Sequence, residues 1–140
     1  NHLIIQGINF SLPQADSYII EIIKSMGGNI RVNKQKGEVI VQGTSNLSGG
    51  NFDLTNSPDL LPVVSILALK STKTVRIMGI AHARLKETDR VSKIAIELAK
   101  FGANVKELND EISITPSTVI KNASVKTYND HRLFMAFTIA

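Results

Sequence analysis

Cysteine and tryptophan are absent from these 140 residues, and aromatic rings are few, with two Tyr and five Phe. Without Cys there is no disulfide framework, no Cys-based metal site and no thiol nucleophile, and the expected setting is a reducing, cytoplasmic one. So few rings leave little for single-stranded nucleic acid to stack on. No apolar run reaches the roughly 18 residues needed to span a bilayer, since the longest, Leu60 to Leu69, is broken by Pro62 and Ser65. No basic-then-apolar leader is read at the start. P-loop, GxGxxG and nucleophile-elbow motifs are missing, and no set of His, Asp and Glu shows metal-ligand spacing, so no metal is expected.

What remains fits an ordinary globular domain. Apolar residues make up 43% of the chain. The net charge of +4 is unevenly placed: residues 1–70 hold five Lys/Arg against five Asp/Glu, and residues 71–140 hold eleven against seven. Anionic partners are therefore expected at the second half. A pI near 9.5 also admits a small basic nucleic-acid-binding module, whose binding would weaken steeply with salt.

Periodicity gives the elements. A strand at Leu3–Gln6 precedes a helix from Asp16 or Ser17 to about Met26, with Tyr18, Ile19, Ile22, Ile23 and Met26 on one face and Gly27-Gly28 as the stop. A hairpin follows at Asn29–Asn33 and Glu38–Gln42, turning at Lys36-Gly37, and then a Ser/Gly/Asn loop from Gly43 to Asn51. Ser57-Pro58 opens a helix so apolar that it must be buried, with regular turns beginning there or at Pro62. After a strand at Thr74–Met78, Thr88 is the expected N-cap of a helix with Val91, Ile94, Ala95, Leu98 and Phe101 on one face. A hairpin at Asn104–Leu108 and Glu111–Thr115, a weak strand at Ala123–Thr127 and an apolar helix at Leu133–Ala140 complete the chain. That helix ends among apolar residues with no Gly, Pro or basic cap, which reads as part of a longer protein.

The pattern repeats. Leu-Ile-Ile-Gln-Gly-Ile at 3–8 parallels Val-Arg-Ile-Met-Gly-Ile at 75–80, and Glu-Ile-Ile-Lys with Gly-Gly-Asn-Ile parallels Glu-Leu-Ala-Lys with Gly-Ala-Asn-Val. Two copies of strand, helix, hairpin and helix, about 1–72 and 73–140, are the simplest account.

Charged groups collect at three helix starts: Asp59; then Lys86, Glu87 and Arg90, in a stretch that also holds His82, Arg84 and Asp89; then His131 and Arg132. Arg90 in a first turn opposes the helix dipole unless anions complete the site. If the three starts converge, they form an electropositive pocket holding two carboxylates. Arg90 and Arg132 would grip planar anions there, leaving Asp59 and Glu87 for acid and base work. The plainer alternative is local pairing, Arg132 with Asp130 and Asp89 with Lys93, on a solvated surface.

Leu85-Lys86-Glu87-Thr88-Asp89-Arg90, followed by Glu97-Leu98 and Gly102-Ala103 and then by Thr127-Tyr128-Asn129-Asp130-His131-Arg132, resembles the 5-enolpyruvylshikimate-3-phosphate synthase family, and Pro58-Asp59 fits in register. The resemblance implies an α+β (α/β) fold of repeated βαβαββ units, helices against mixed or antiparallel sheets, with 1–140 as part of one of two domains. It implies transfer of the enolpyruvyl group of phosphoenolpyruvate to the 5-hydroxyl of shikimate 3-phosphate, with release of phosphate and no cofactor. By residue it implies Asp59 as the base at the hydroxyl and Glu87 as the acid at the methylene carbon. Lys86 becomes a ligand of shikimate 3-phosphate, Arg90 and Arg132 ligands of phosphoenolpyruvate, and His131 a neighbour of that site. At His82 the family often has an Asn that contacts the sugar-acid substrate. The related enzyme acting on UDP-N-acetylglucosamine usually relies on a Cys, which this chain lacks. The missing domain is the expected partner, so the chain alone should be inactive.

Overall fold

The computed structural model describes residues 2–44 and 46–140; Ser45, inside the expected Gly43–Asn51 loop, lies outside them. There are two sheets, and the main hydrophobic core lies against the second. The first contains β1 (His2–Ile5), β2 (Asn29–Asn33) and β3 (Glu38–Gln42) in the order β1-β3-β2, all antiparallel. The second contains β4 (Gly50–Asp53), β5 (Val75–Met78), β6 (Asn104–Glu107) and β7 (Glu111–Thr115) in the order β4-β5-β7-β6. There β4 runs parallel to β5, and the other pairs are antiparallel.

The helices are α1 (Ile19–Ser25), α2 (Leu61–Leu69), α3 (Arg90–Lys100) and α4 (His131–Thr138). Short 3-10 turns at Ala15–Tyr18, Pro58–Leu60 and Ala81–Leu85 lead into or precede the first three. Helix α2, apolar all round, packs on α3, α4, β5 and β7, with Leu61, Val64, Ile66, Ala68 and Leu69 buried. Its one buried hydroxyl, on Ser65, donates to the Leu61 carbonyl at 2.7 Å, so no polar group is stranded. Helix α3 is amphipathic and buries Val91, Ile94 and Leu98, while β5 and β7 turn Val75, Ile77, Ile112 and Ile114 into the same core.

Two helices end alike. Gly27 (φ 84°) and Gly102 (φ 94°) take the left-handed conformation open to glycine and place their N–H groups on the Lys24 and Ala99 carbonyls. At α1 the Gly28 N–H adds a bond to the Ile23 carbonyl, completing a Schellman stop.

Five sequence expectations need correction. Gly50–Asp53, whose first two residues were expected to be loop, is a strand, because its backbone finds β5 across the crossover formed by α2. The N-cap of α3 is Asp89 rather than Thr88: its short carboxylate accepts the Ser92 N–H at 3.0 Å. Ser57 does not cap its helix; its hydroxyl donates to the Ala15 carbonyl at 2.9 Å, and a 3-10 turn precedes regular helix from Leu61. Residues 123–127 form no strand, since Glu97 and Lys100 side chains bond the Lys126 N–H and Ser124 carbonyl in place of a ladder. The final helix starts at His131, two residues early, capped by Asp130.

Candidate active site

Arg90 is the first residue of α3, its side chain 1% exposed, and its guanidinium is shared among three carboxylates from three parts of the chain. Nε donates to Asp130 Oδ2, Nη1 to Asp59 Oδ1 and Nη2 to Glu87 Oε2, each at 2.7 Å, and Nη2 reaches Asp130 Oδ1 at 3.3 Å. Four of the five N–H bonds that a guanidinium can make are thereby used. A cation at a helix N-terminus, unfavourable alone, is here the hub joining the starts of α2, α3 and α4.

Two further cations border Asp59. Arg132 Nη2 lies 3.1 Å from Asp59 Oδ2 and Lys86 Nζ 3.8 Å from Oδ1, while Arg132 Nη1 also reaches Asp16 at 3.2 Å. His131 Nδ1 lies 3.4 Å from Glu87 Oε1. Arg132 is 28% exposed and Lys86 36%, so unlike Arg90 both offer charge to solvent. A hollow of 130 Å³ opens beside Asp59 and Arg132, floored by Leu60, Pro62, Val63, the α4 residues Met135 and Ala136, and Ile139 just past the end of α4. A larger one, 740 Å³ beside α1, contains none of the candidate residues.

Electrostatics follow from this packing. Burial alone would raise the Asp59 pKa, but the Arg90 hydrogen bond and the charges of Arg132, Lys86 and Arg90 outweigh it, and the net shift is downward. Asp130 behaves alike: burial opposes its ionisation, and Arg90 with the Leu133 and Arg132 N–H groups holds it low. Asp59 is therefore an ionised acceptor at neutral pH.

Six of the seven residues expected from sequence, Asp59, Lys86, Glu87, Arg90, His131 and Arg132, come together. His82 does not join them: it is exposed on the Ala81–Leu85 turn and makes no side-chain hydrogen bond or ion pair among the described residues. Arg84 points elsewhere, bonding Asp89, Glu107 and the Leu108 and Asn109 carbonyls, so it ties the start of α3 to the β6–β7 hairpin. Its partnership with Asp89 stands in place of the Asp89–Lys93 pair of the plainer alternative. The Arg132 side chain likewise leaves Asp130 for Asp16 and Asp59. Sequence reading gave Asp130 no role beyond that local pairing, although capping and Arg90 binding both depend on it. An Asp just before an apolar helical run was the available signal.

An α+β unit that interleaves three cations with three carboxylates at three helix openings, two of the cations open to solvent, is of the kind that handles small anionic reactants. The family profile described as EPSP synthase (3-phosphoshikimate 1-carboxyvinyltransferase) matches residues 1–140, and the chain belongs to that family. It is 43% identical over 98% of its length to the 3-phosphoshikimate 1-carboxyvinyltransferase of Nitrosopumilus maritimus, and 39% identical over its whole length to that of Methanocaldococcus jannaschii. It covers 32% of each, so the chain spans about a third of the length of these relatives. The solved EPSP synthase of Acinetobacter baumannii superposes with a TM-score of 0.83 at 22% identity, over 99% of this chain and 34% of that one, a likeness of fold.

Proposed function

We propose that this chain is the part of a cytoplasmic enolpyruvyl transferase that supplies both proton-transfer carboxylates and half of the anion grip for phosphoenolpyruvate and shikimate 3-phosphate. The observation that carries the reading is Arg90 between Asp59 and Glu87, 2.7 Å from each, in a chain whose close relatives bear that enzyme name. In the addition step the substrate hydroxyl forms a C–O bond to the central carbon of phosphoenolpyruvate. Asp59, ionised, accepts the hydroxyl proton, and Glu87 delivers one to the methylene carbon. Elimination then breaks the bond to phosphate while a methyl proton is removed, which the Glu87 carboxylate, having given up its own proton in the addition, takes back. Arg132 and Lys86, open to solvent, meet the phosphate and carboxylate groups, and buried Arg90 holds the three carboxylates in place for them.

The division into two copies, about 1–72 and 73–140, belongs to the same proposal. It draws support from the matching orders β1-β3-β2 and β5-β7-β6, and from left-handed Gly7 and Gly79 at equivalent places. In space β4 and α2 stand with the second sheet, so that β4-α2-β5-α3-β6-β7 runs strand, helix, strand, helix, strand, strand. The rest of the full-length protein would close the site as a second domain, and no nucleic acid is part of this reading.

Phosphate release by the full-length protein tests the proposal. Turnover is expected with phosphoenolpyruvate plus shikimate 3-phosphate, none with UDP-N-acetylglucosamine as acceptor, and none from the isolated 140 residues. Absence of turnover in the full-length protein overturns it.

A further inference from the structure

Glu97 is a buried acid that takes no part in the chemistry above. It lies two turns along α3 from Arg90, with none of its side chain exposed, and accepts three bonds: from the Tyr128 hydroxyl at 2.6 Å, Lys100 Nζ at 2.6 Å and the Lys126 N–H at 3.1 Å. The Lys93 ammonium stands 5.0 Å from the centroid of the same tyrosine ring. Beyond that contact the backbone does something costly. Tyr128 (φ 52°) and Asn129 (φ 56°) are consecutive left-handed residues, neither a glycine, and such residues persist only where their surroundings over-determine them. Straight after this corner comes Asp130, which caps α4 through the Arg132 and Leu133 N–H groups and clamps Arg90. Helix α3 therefore holds residues 126–132 at two points, Glu97 to Tyr128 and Arg90 to Asp130, with the strained pair lying next to the first.

We propose that Glu97 and Tyr128 are a pair of positioning residues: their bond fixes the left-handed corner at 128–129 and thereby aims Asp130, His131 and Arg132 into the site. Neither touches a reactant. Freed from Glu97, the corner can relax toward ordinary φ values, which swings Asp130 off Arg90 and carries the Arg132 side chain away from Asp59. The consequence for phosphoenolpyruvate rests on the enolpyruvyl-transfer reading; the consequence for the corner does not.

The test uses full-length protein with Tyr128→Phe, which removes one oxygen atom, and Glu97→Gln, which keeps an acceptor for the hydroxyl. Amide hydrogen exchange without substrates should quicken about tenfold at residues 130–133 in Tyr128→Phe, the size of effect one hydrogen bond to a charged acceptor gives, with residues 90–100 unchanged. In steady-state assays KM for phosphoenolpyruvate should rise about tenfold, with kcat and KM for shikimate 3-phosphate within about twofold. Glu97→Gln should lie between wild type and Glu97→Ala in both measurements. A merely structural pair would lower the melting temperature and leave both KM values alone, and that result overturns the proposal. Unchanged exchange at 130–133 overturns it too. An inactive wild type would instead sink the transferase reading, while exchange still decides whether the pair holds the corner.

Discussion

Arg90 Nη1 and Asp59 Oδ1 sit 2.7 Å apart, joining the starts of two helices that are 31 residues apart in sequence. Around that contact the rest of the cluster is arranged, and its consequence is first one of stability. Asp130 is wholly buried and Arg90 almost so, hence neither can turn to water if its partner is lost. Arg90→Met should destabilise the protein by about 3–5 kcal/mol, the usual effect of leaving a buried charge unpaired. Arg90→Lys should fall between, because one ammonium cannot serve three carboxylates in different directions. Urea unfolding of the three proteins gives the order directly, and a loss under 1 kcal/mol in Arg90→Met would contradict it.

Acid should undo the same cluster. Asp59, Asp130 and Glu97 all have folded pKa values below their ordinary ones, because Arg90 for the first two and Lys100 with Tyr128 for the third outweigh the opposing effect of burial. A carboxyl depressed in the folded state contributes stability that is complete above its unfolded value, about 4, and is lost as pH falls through the folded one. Unfolding free energy should therefore be nearly level from about pH 7 to 5 and drop below about pH 4. Asp130→Asn should make the acid limb shallower, since Asn still accepts the cap bonds but has no charge to lose. Urea titrations at stepped pH read both slopes, and stability that climbs on acidification would be inconsistent with these pairs.

Much of this arrangement was legible in the residues alone, for reasons that differ by element. Helices α1, α2 and α3 and both hairpins announce themselves because apolar periodicity is local and each buries the apolar side chains it repeats. Strand β4 did not, since Gly50-Asn51-Phe52-Asp53 has one buried apolar residue and its partner β5 begins 25 residues after it. The convergence of Asp59, Glu87, Arg90 and Arg132 could be proposed from helix starts. Which cation serves which acid could not. Arg84, in the same basic stretch as Lys86 and Arg90, turns to Glu107 on the β6–β7 hairpin, a long-range pairing that spacing does not reveal. Glu97 reads in sequence as an ordinary polar position of a helix, and only its contact with Tyr128 gives it meaning.

Equivalent glycines should respond unequally to the same change. Gly7 and Gly79 occupy matching places after β1 and β5 and both are left-handed, at φ 82° and 70°. A Cβ at Gly7 meets nothing within 4 Å, whereas one at Gly79 would sit 2.2 Å from Thr55 Oγ1 and 2.5 Å from Asp53 Oδ1. Those two atoms already bond each other in the turn that leads toward Asp59. Gly7→Ala should cost about 1 kcal/mol, for backbone conformation alone. Gly79→Ala should cost that and roughly 1–3 kcal/mol more for the displaced turn. Chemical denaturation of the two variants checks the difference, and equal losses would show that the Asp53–Thr55 turn yields freely.

Carboxylate chemistry should be separable from anion capture in the full-length enzyme. Asp59→Asn keeps the size and an acceptor oxygen for Arg90 while removing the proposed base, so kcat should fall about 10²–10⁴-fold with KM values changing far less. Arg132→Lys should do the reverse. Its guanidinium spans Asp59 at 3.1 Å and Asp16 at 3.2 Å, two partly exposed partners, and such pairs contribute only about 0–1 kcal/mol each. Stability should thus stay within about 1 kcal/mol of wild type, whereas Arg90→Met loses several times that. A lysine there retains charge but cannot form the paired, parallel bonds that a carboxylate or phosphate accepts from a guanidinium. KM for phosphoenolpyruvate should accordingly rise about tenfold or more while kcat moves less. Steady-state kinetics beside thermal melts of Arg132→Lys and Arg90→Met decide it. If Arg132→Lys melts as early as Arg90→Met, or leaves KM for phosphoenolpyruvate untouched, the two arginines do not divide framework and substrate binding between them.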